Sequence, residues 1–381
     1  MKKNYLLTPG PTPLPPEVCA ALAKPIIHHR TPQFQAILKE AAEGLKYVFQ
    51  TKSEVFILSS SGTGAMEAAV VNLLSPGDTA ITVEAGKFGE RWTELCQAYG
   101  VKAEVIKVEW GKAVSAHKIK SQVTGCRSQV KAVFVTLCET STGVTTDVQA
   151  IAKELRGSDC VLVVDAISGL GVLDLRTDEW GVDVVVGGSQ KGLMLPPGLG
   201  FISLSQKAWK LSNESKSPRY YFDLRASKKA WENADTPFTT PVSLVVALNA
   251  ALKMIREEGL ENVFSRCKKL ADGVRAAARA LGLGLFADTA CASDAITAIN
   301  VPSGLDGEKL VKTMRDGYGV TLAGGQAELK GKVFRIATMG YLNEFDIILA
   351  LSCLEKVLYQ MGYKFELGSG LKAAQEVFLK G

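Results

Sequence analysis

In the stretch Val182-Asp183-Val184-Val185-Val186-Gly187-Gly188-Ser189-Gln190-Lys191-Gly192, the valine-rich start, Val182 to Val186, reads as a strand and the rest follows it. Consecutive apolar residues mark a strand buried on both sides, as in a parallel sheet covered by helices. The glycines that follow carry no side chain, so something large and flat can approach the backbone. Lys191 then falls at the C-terminal end of the strand, where open α/β sheets bind ligands. A solvated surface lysine is the plain alternative. A P-loop lysine fits poorly, because neither the glycine spacing nor the following hydroxyl is present.

Working outward, strands are predicted at 54–58, 79–83, 103–108, 132–137, 160–165, 182–187 and 201–204. Helices are predicted at 33–49, 65–74, 89–99 and 147–156. This alternation argues for a mostly parallel sheet between helices. Residues 206–240 are polar and aromatic, with no clean strand. A long helical pattern runs from Val242 through Glu257 and resumes after Gly259 toward Leu281. The last hundred residues read as a small α+β unit. The expected division is an N-terminal arm over 1–15, a large domain over 16–258 and a small domain over 259–381.

The 381 residues are 47% hydrophobic and 22% charged, a balance that excludes an intrinsically disordered chain. The net charge of +5 is dispersed, so no nucleic-acid partner is expected. Nothing approaches the ~18–20 apolar residues of a membrane span. The first residues meet proline and glycine too soon for a secretory leader. Eight scattered cysteines suggest reduced thiols rather than a disulfide or zinc framework. A cytoplasmic protein with no metal is expected.

Two further features join Lys191. Asp165 closes the apolar strand 161–164, where a carboxylate is costly to bury without a cation or donor. A helix N-cap or an arginine pair would be the ordinary explanation. Ser61-Gly62-Thr63-Gly64 opens a helix after a strand, and the exposed N–H groups and dipole there suit one phosphate. It lacks the third glycine of a dinucleotide fingerprint, so a nicotinamide dehydrogenase fits worst. An ordinary capped turn is again the bland reading. Together, a lysine, a carboxylate and a phosphate cradle at strand ends meet the needs of pyridoxal 5'-phosphate. The lysine forms an imine, the aspartate keeps the ring nitrogen protonated and the helix takes the phosphate.

The chain resembles the class V, fold-type I aminotransferases, in the alanine–glyoxylate and serine–pyruvate branch. The resemblance rests on Leu7-Thr8-Pro9-Gly10-Pro11, His29-Arg30-Thr31-Pro32, Ser61 to Glu67, Gly86 to Trp92, Glu139 to Val144, Val164 to Ser168, Gly188 to Lys191 with Pro196-Pro197-Gly198, and Phe334-Arg335-Ile336. It implies a seven-stranded, mostly parallel sheet in the large domain. It also implies that Lys191 carries the cofactor, with Asp165 on the pyridine nitrogen. Ser61, Gly62, Thr63 and Gln190 would hold the phosphate, and Thr140 would sit near the ring hydroxyl. Phe88 would stack on the ring where relatives often have Trp. Arg335 would grip the substrate carboxylate, with the Gly10 backbone alongside. Thr239, or its neighbour Thr240, would reach a second subunit's phosphate, which implies a homodimer with shared sites.

The expected activity is transfer of an amino group from alanine or serine to glyoxylate or pyruvate by a ping-pong mechanism. Aspartate or aminoethylphosphonate as donor remains open, and an acidic donor would need a second cation such as Lys87, Arg30 or Arg219. A cysteine desulfurase would need a nucleophilic thiol, for which Cys291 and Cys353 are the late candidates. A non-catalytic accessory subunit is the reading from another class.

Overall fold

The computed structural model describes residues 3–126 and 128–380. Seven strands form the central sheet: β1 (Val55–Leu58), β2 (Thr79–Glu84), β3 (Lys102–Lys107), β4 (Val130–Thr136), β5 (Val161–Asp165), β6 (Val184–Gly188) and β7 (Gly200–Leu204). Their order across the sheet is β1-β7-β6-β5-β4-β2-β3. Only β7 runs against its neighbours, pairing antiparallel with both β1 and β6. The seven-stranded, mostly parallel sheet expected from the resemblance is therefore present.

The continuous apolar runs are explained by the two-residue period of a strand. Val133, Val135, Leu162, Val164 and Val185 enter one buried cluster. The residues between them, Ala132, Phe134, Val161, Val163, Val184 and Val186, enter another. Helix α1 (Pro32–Phe49) lies in the first cluster, where Gly44 lets it approach helix α4 (Val242–Glu258). A Cβ on Gly44 would lie 2.8 Å from Leu252 Cδ1. Helix α2 (Gly62–Leu73) covers the other face, and α3 (Lys87–Ala98) contributes the fully buried Trp92 there.

Two helices start closer to the strand ends than their apolar patterns predicted. Helix α2 begins at Gly62 rather than Ala65, and α3 at Lys87 rather than Gly89. Glycine-rich first turns carry little hydrophobic signal, so periodicity picks these helices up one turn late. Residues 206–240 also hold two short helices, Gln206–Glu214 and Leu224–Trp231, capped by Ser205 and Asp223.

Helix α5 (Leu260–Ala280) begins immediately after Gly259, whose φ is +82°. It packs with α6 (Glu344–Gln360) and α7 (Ser369–Lys380) in a third cluster. The same cluster contains part of a small antiparallel sheet formed by β8 (Ile296–Asn300), β9 (Ala323–Gly324) and β10 (Val333–Ala337). The N-terminal segment is tied to this unit. Tyr5 and Leu6 pair in parallel with Val320 and Thr321, and Leu7 is buried in the same cluster. No helix among the described residues is long and apolar enough to cross a membrane.

The turn after β6 is tightly pinned. A Cβ on Gly192 would lie 2.4 Å from the Leu170 carbonyl oxygen, a backbone atom that cannot step aside. Gly192→Ala is expected to destabilise the protein by about 1–3 kcal/mol. Thermal melting checks this: an unchanged transition would mean that the turn has slack.

Candidate active site

Lys191 lies one short turn beyond β6, and several contacts fix its backbone. Ser189 donates from its hydroxyl to Pro196 O at 2.7 Å and receives Leu199 N–H at 3.2 Å. Thr12 crosses from the N-terminal segment, its N–H reaching Gln190 O at 3.2 Å and its hydroxyl reaching Lys191 O at 2.9 Å. The Lys191 ammonium donates to Pro9 O. Gly10, with φ +134°, passes directly over the lysine, and a Cβ there would lie 2.5 Å from its side chain. Glycine is required at 10 by both conformation and space.

Asp165 ends β5, in register between Thr136 of β4 and Val186 of β6. It is 3% exposed, and among the described residues its carboxylate has one hydrogen-bond donor, Ile167 N at 2.8 Å. Burial pushes its carboxyl up to about 7. Burial acts in the opposite sense on Lys191, pulling the ammonium down to about 8. In both cases loss of solvation penalises the charged form.

The N-terminus of α2 faces the same centre. Its N-cap, Ser61, makes no side-chain cap; its carbonyl accepts Gly64 N at 3.0 Å, and its hydroxyl leaves the N–H groups of the first turn free of a side-chain partner. A Cβ on Gly62 would lie 2.5 Å from Ile167, the residue that supports Asp165. Thr63 accepts from Arg91 Nη1 at 3.3 Å, and the Arg91 guanidinium lies 5.1 Å from the Phe88 ring centroid. The Lys191 ammonium lies 6.0 Å from the same ring. Phe88 and Lys191 therefore border one space, with Arg91 linking the ring to the helix N-terminus.

Arg335, in the middle of β10, is 4% exposed and reaches in from the other unit. Its Nε and Nη2 donate to Gly324 O at 3.0 and 2.8 Å, and Nη1 donates to Thr140 O. Three of five guanidinium N–H groups are thus used, leaving one on each terminal nitrogen. Burial pulls its pKa down to about 10, opposed by the nearby Glu139. Two buried polar atoms of the centre have no partner among the described residues: Thr140 Oγ1 and Gln190 Oε1.

Thr239 is set apart from this group. It is exposed, between Phe238 and the buried Thr240, on a segment sharing a small cavity with Leu58 and Ser59. The buried Thr240 hydroxyl also has no partner. The structure therefore brings together Gly10, Gly62, Thr63, Phe88, Thr140, Asp165, Gln190, Lys191 and Arg335, with Ser61 at the rim. Sequence reasoning gave no role to Arg91 or Glu139. Both stand inside the quoted motifs, and a lone acid after the apolar strand 132–138 was the available signal for Glu139.

Because the Asp165 carboxyl is raised by folding, its favourable contribution is complete below about pH 3.8 and is lost as pH rises through about 7. With any cofactor removed, Asp165→Asn is expected to be more stable than the parent at pH 8, with the gap closing toward pH 4. Denaturant unfolding at both pH values tests this, and a gap independent of pH would contradict it.

Known proteins are similar to this one over nearly the full chain. The family model "Aminotransferase class-V" matches residues 4–340. The soluble hydrogenase small subunit of Synechococcus sp. (strain PCC 6716) is 44% identical, over 98% of each chain. L-aspartate–glyoxylate aminotransferase of Paracoccus denitrificans is 39% identical, over 98% of this chain and 96% of its own. Serine–glyoxylate aminotransferase of Hyphomicrobium methylovorum is 41% identical, over 99% and 95%. The crystal structure of ureidoglycine–glyoxylate aminotransferase from Bacillus subtilis superposes with a TM-score of 0.94 at 29% identity, covering 100% of this chain and 99% of that one. By the length of the family match and by these identities, the chain belongs to the class V aminotransferases, enzymes that use pyridoxal phosphate to transfer amino groups.

Proposed function

We propose that this aminotransferase takes the amino group of alanine or serine and passes it to glyoxylate or pyruvate, binding the two in turn at one site. The observation that carries this reading is that Arg335 has free N–H groups for one carboxylate, while Arg91, the other guanidinium at the centre, is turned to Thr63 at the N-terminus of α2 on the phosphate side. Among the three candidates for a distal carboxylate, Arg30 pairs with Asp235 at 3.3 Å and Lys87 pairs with Glu90. Arg219 is held by the carbonyls of Val71, Ser215 and Ser217 at 3.0–3.2 Å. These commitments favour a small neutral side chain over aspartate, the donor in the name of the Paracoccus relative.

The residues fit pyridoxal phosphate on their own terms. Asp165 lacks a cationic partner, Thr140 and Gln190 each offer an unpaired polar atom, and α2 presents an uncapped N-terminus. Lys191 would hold the cofactor, Asp165 its pyridine nitrogen, and Thr140 its ring hydroxyl. Phe88 would cover the ring. Ser61, Gly62, Thr63 and Gln190 would take the phosphate, joined by Thr239 of a second copy. Bound there, the cofactor supplies an electron sink and a carrier for the amino group.

The chain's own groups supply the rest. Arg335 uses its two remaining N–H groups on the substrate carboxylate, with the Gly10 backbone beside it, and so fixes which bond at Cα faces Lys191. The Lys191 amine, pulled to about 8, is available in neutral form near physiological pH to accept the Cα proton. As the ammonium it would hold that proton at Nζ, ready to return it on the same face. Asp165, as an anion, keeps a proton on the ring nitrogen throughout.

Other observations bear on the rival readings. Burial raises the thiols of Cys291 and Cys353, the latter to about 11, which is opposite to what a desulfurase nucleophile requires. Lys191, Asp165 and Arg335 are all in place, which disfavours a non-catalytic subunit despite the name of the Synechococcus relative. Exposed Tyr220 and Tyr221, the first tilted against Phe238 and the second stacked on it beside Thr239, support a homodimer meeting at this face. Eight free cysteines are in keeping with a reducing, cytoplasmic setting.

The test is a visible spectrum of the holoenzyme titrated with alanine, serine, aspartate and aminoethylphosphonate. Alanine or serine is expected to bleach the cofactor band and glyoxylate to restore it. Bleaching by aspartate or the phosphonate alone would reassign the donor. Steady-state plots at varied acceptor are expected to be parallel, and intersecting lines would contradict the alternating order. Arg335→Gln is expected to raise KM for the amino acid roughly 10–100-fold. Lys191→Ala should cost about 10²-fold or more in kcat.

A further inference from the structure

Glu139 has no part in the reading above, and its surroundings are unusual for a carboxylate. It is 1% exposed, between Cys138 and Thr140. Its Oε2 accepts Gly89 N at 2.9 Å and Phe88 N at 3.1 Å. Its Oε1 accepts Ser141 N at 3.2 Å and the Ser141 hydroxyl. Ser141 Oγ in turn receives Lys87 N at 3.0 Å. Every partner of the carboxylate is a donor. Three of the four are backbone N–H groups, which can only donate; they oppose the burial that pushes the carboxyl up, so the arrangement fits the anion. Gly86 permits this approach, since a Cβ there would lie 2.4 Å from Ser141 Oγ and 2.5 Å from Glu139 Cδ.

The groups this anion touches are parts of the centre. Phe88 and Gly89 form the first turn of α3, whose positive end the carboxylate meets. Thr140 follows it in the chain, offering its unpaired hydroxyl to one side and its carbonyl to Arg335. We propose that Glu139 is a positioning residue: its buried carboxylate fixes the Phe88 ring and the Thr140 hydroxyl relative to each other and balances the charge of Arg335. One anion thereby seats both the cofactor ring and the substrate carboxylate. The inference rests on the pyridoxal phosphate reading of the site.

The test uses Glu139→Gln, which keeps the shape but must turn an N–H toward donors. The variant is expected to fold, judged by far-ultraviolet circular dichroism, and to bind pyridoxal phosphate about tenfold more weakly on reconstitution. Removing an anion disfavours protonation nearby, so the pH midpoint of the bound cofactor's visible band should fall by about half a unit or more. KM for the amino acid should rise about tenfold, with a smaller change in kcat. Glu139→Asp should recover part of each shift. A purely structural residue would lower the melting temperature while leaving the midpoint and the KM-to-kcat split in place. That result in a folded Glu139→Gln protein would overturn the proposal. Should that variant not fold, Ser141→Ala removes one donor from the same carboxylate. It should weaken cofactor binding and raise KM by about 2–5-fold, and unchanged values would overturn the proposal. If the parent protein gave no visible band with pyridoxal phosphate, the site reading would fail first and this inference with it.

Discussion

A carboxylate buried with a single hydrogen-bond donor is the constraint on which the centre depends. Asp165 stands between two strands at the middle of the sheet, and only the Ile167 N–H answers it. Its ionised form is unfavourable there until a cationic N–H arrives. In the proposed reading a protonated pyridine ring would meet that need, and the rest of the site would be arranged around it. Ile167, required to hold Asp165, is also what Gly62 must accommodate, so the carboxylate and the helix N-terminus are set by one contact.

The lysine is constrained from a different direction. Its backbone is locked by the turn after β6, while its side chain lies under Gly10 and donates to Pro9. That crossing segment belongs by its packing to the smaller unit, through Tyr5 and Leu6 on Val320 and Thr321 and through Leu7 O accepting Ala337 N at 3.0 Å. Arg335 comes from the same strand, β10. The groups proposed for the substrate carboxylate are therefore carried together, and the groups proposed for the cofactor ring are carried by the large sheet. Glu139 and Thr140 lie where the two sets meet.

Most of the fold was legible because buried parallel strands leave an unmistakable run of branched apolar residues, as in Val161-Leu162-Val163-Val164 and Val184-Val185-Val186. The strand-end positions of Lys191 and Asp165 followed from those runs. What periodicity could not supply was the start of α2 and α3, where glycines replace the apolar signal, or the pairing of Tyr5–Leu6 with a strand more than 300 residues away. Arg335 could be assigned only through the family resemblance, since a lone arginine in an apolar strand is silent about what it faces. Glu139 escaped because its role is set by backbone N–H groups 50 residues distant, which no local pattern encodes. The eventual separation of alanine, serine and aspartate donors depends on cations whose partners, such as Asp235 and Glu90, become visible only in three dimensions.

The central claim is that Lys191 carries the cofactor at the end of β6. Reducing the holoenzyme with borohydride, digesting it and locating the pyridoxyl group by mass spectrometry tests this directly. The account predicts a single modified peptide with the group on Lys191. Modification of another lysine, or none above background in protein that binds the cofactor, would contradict it.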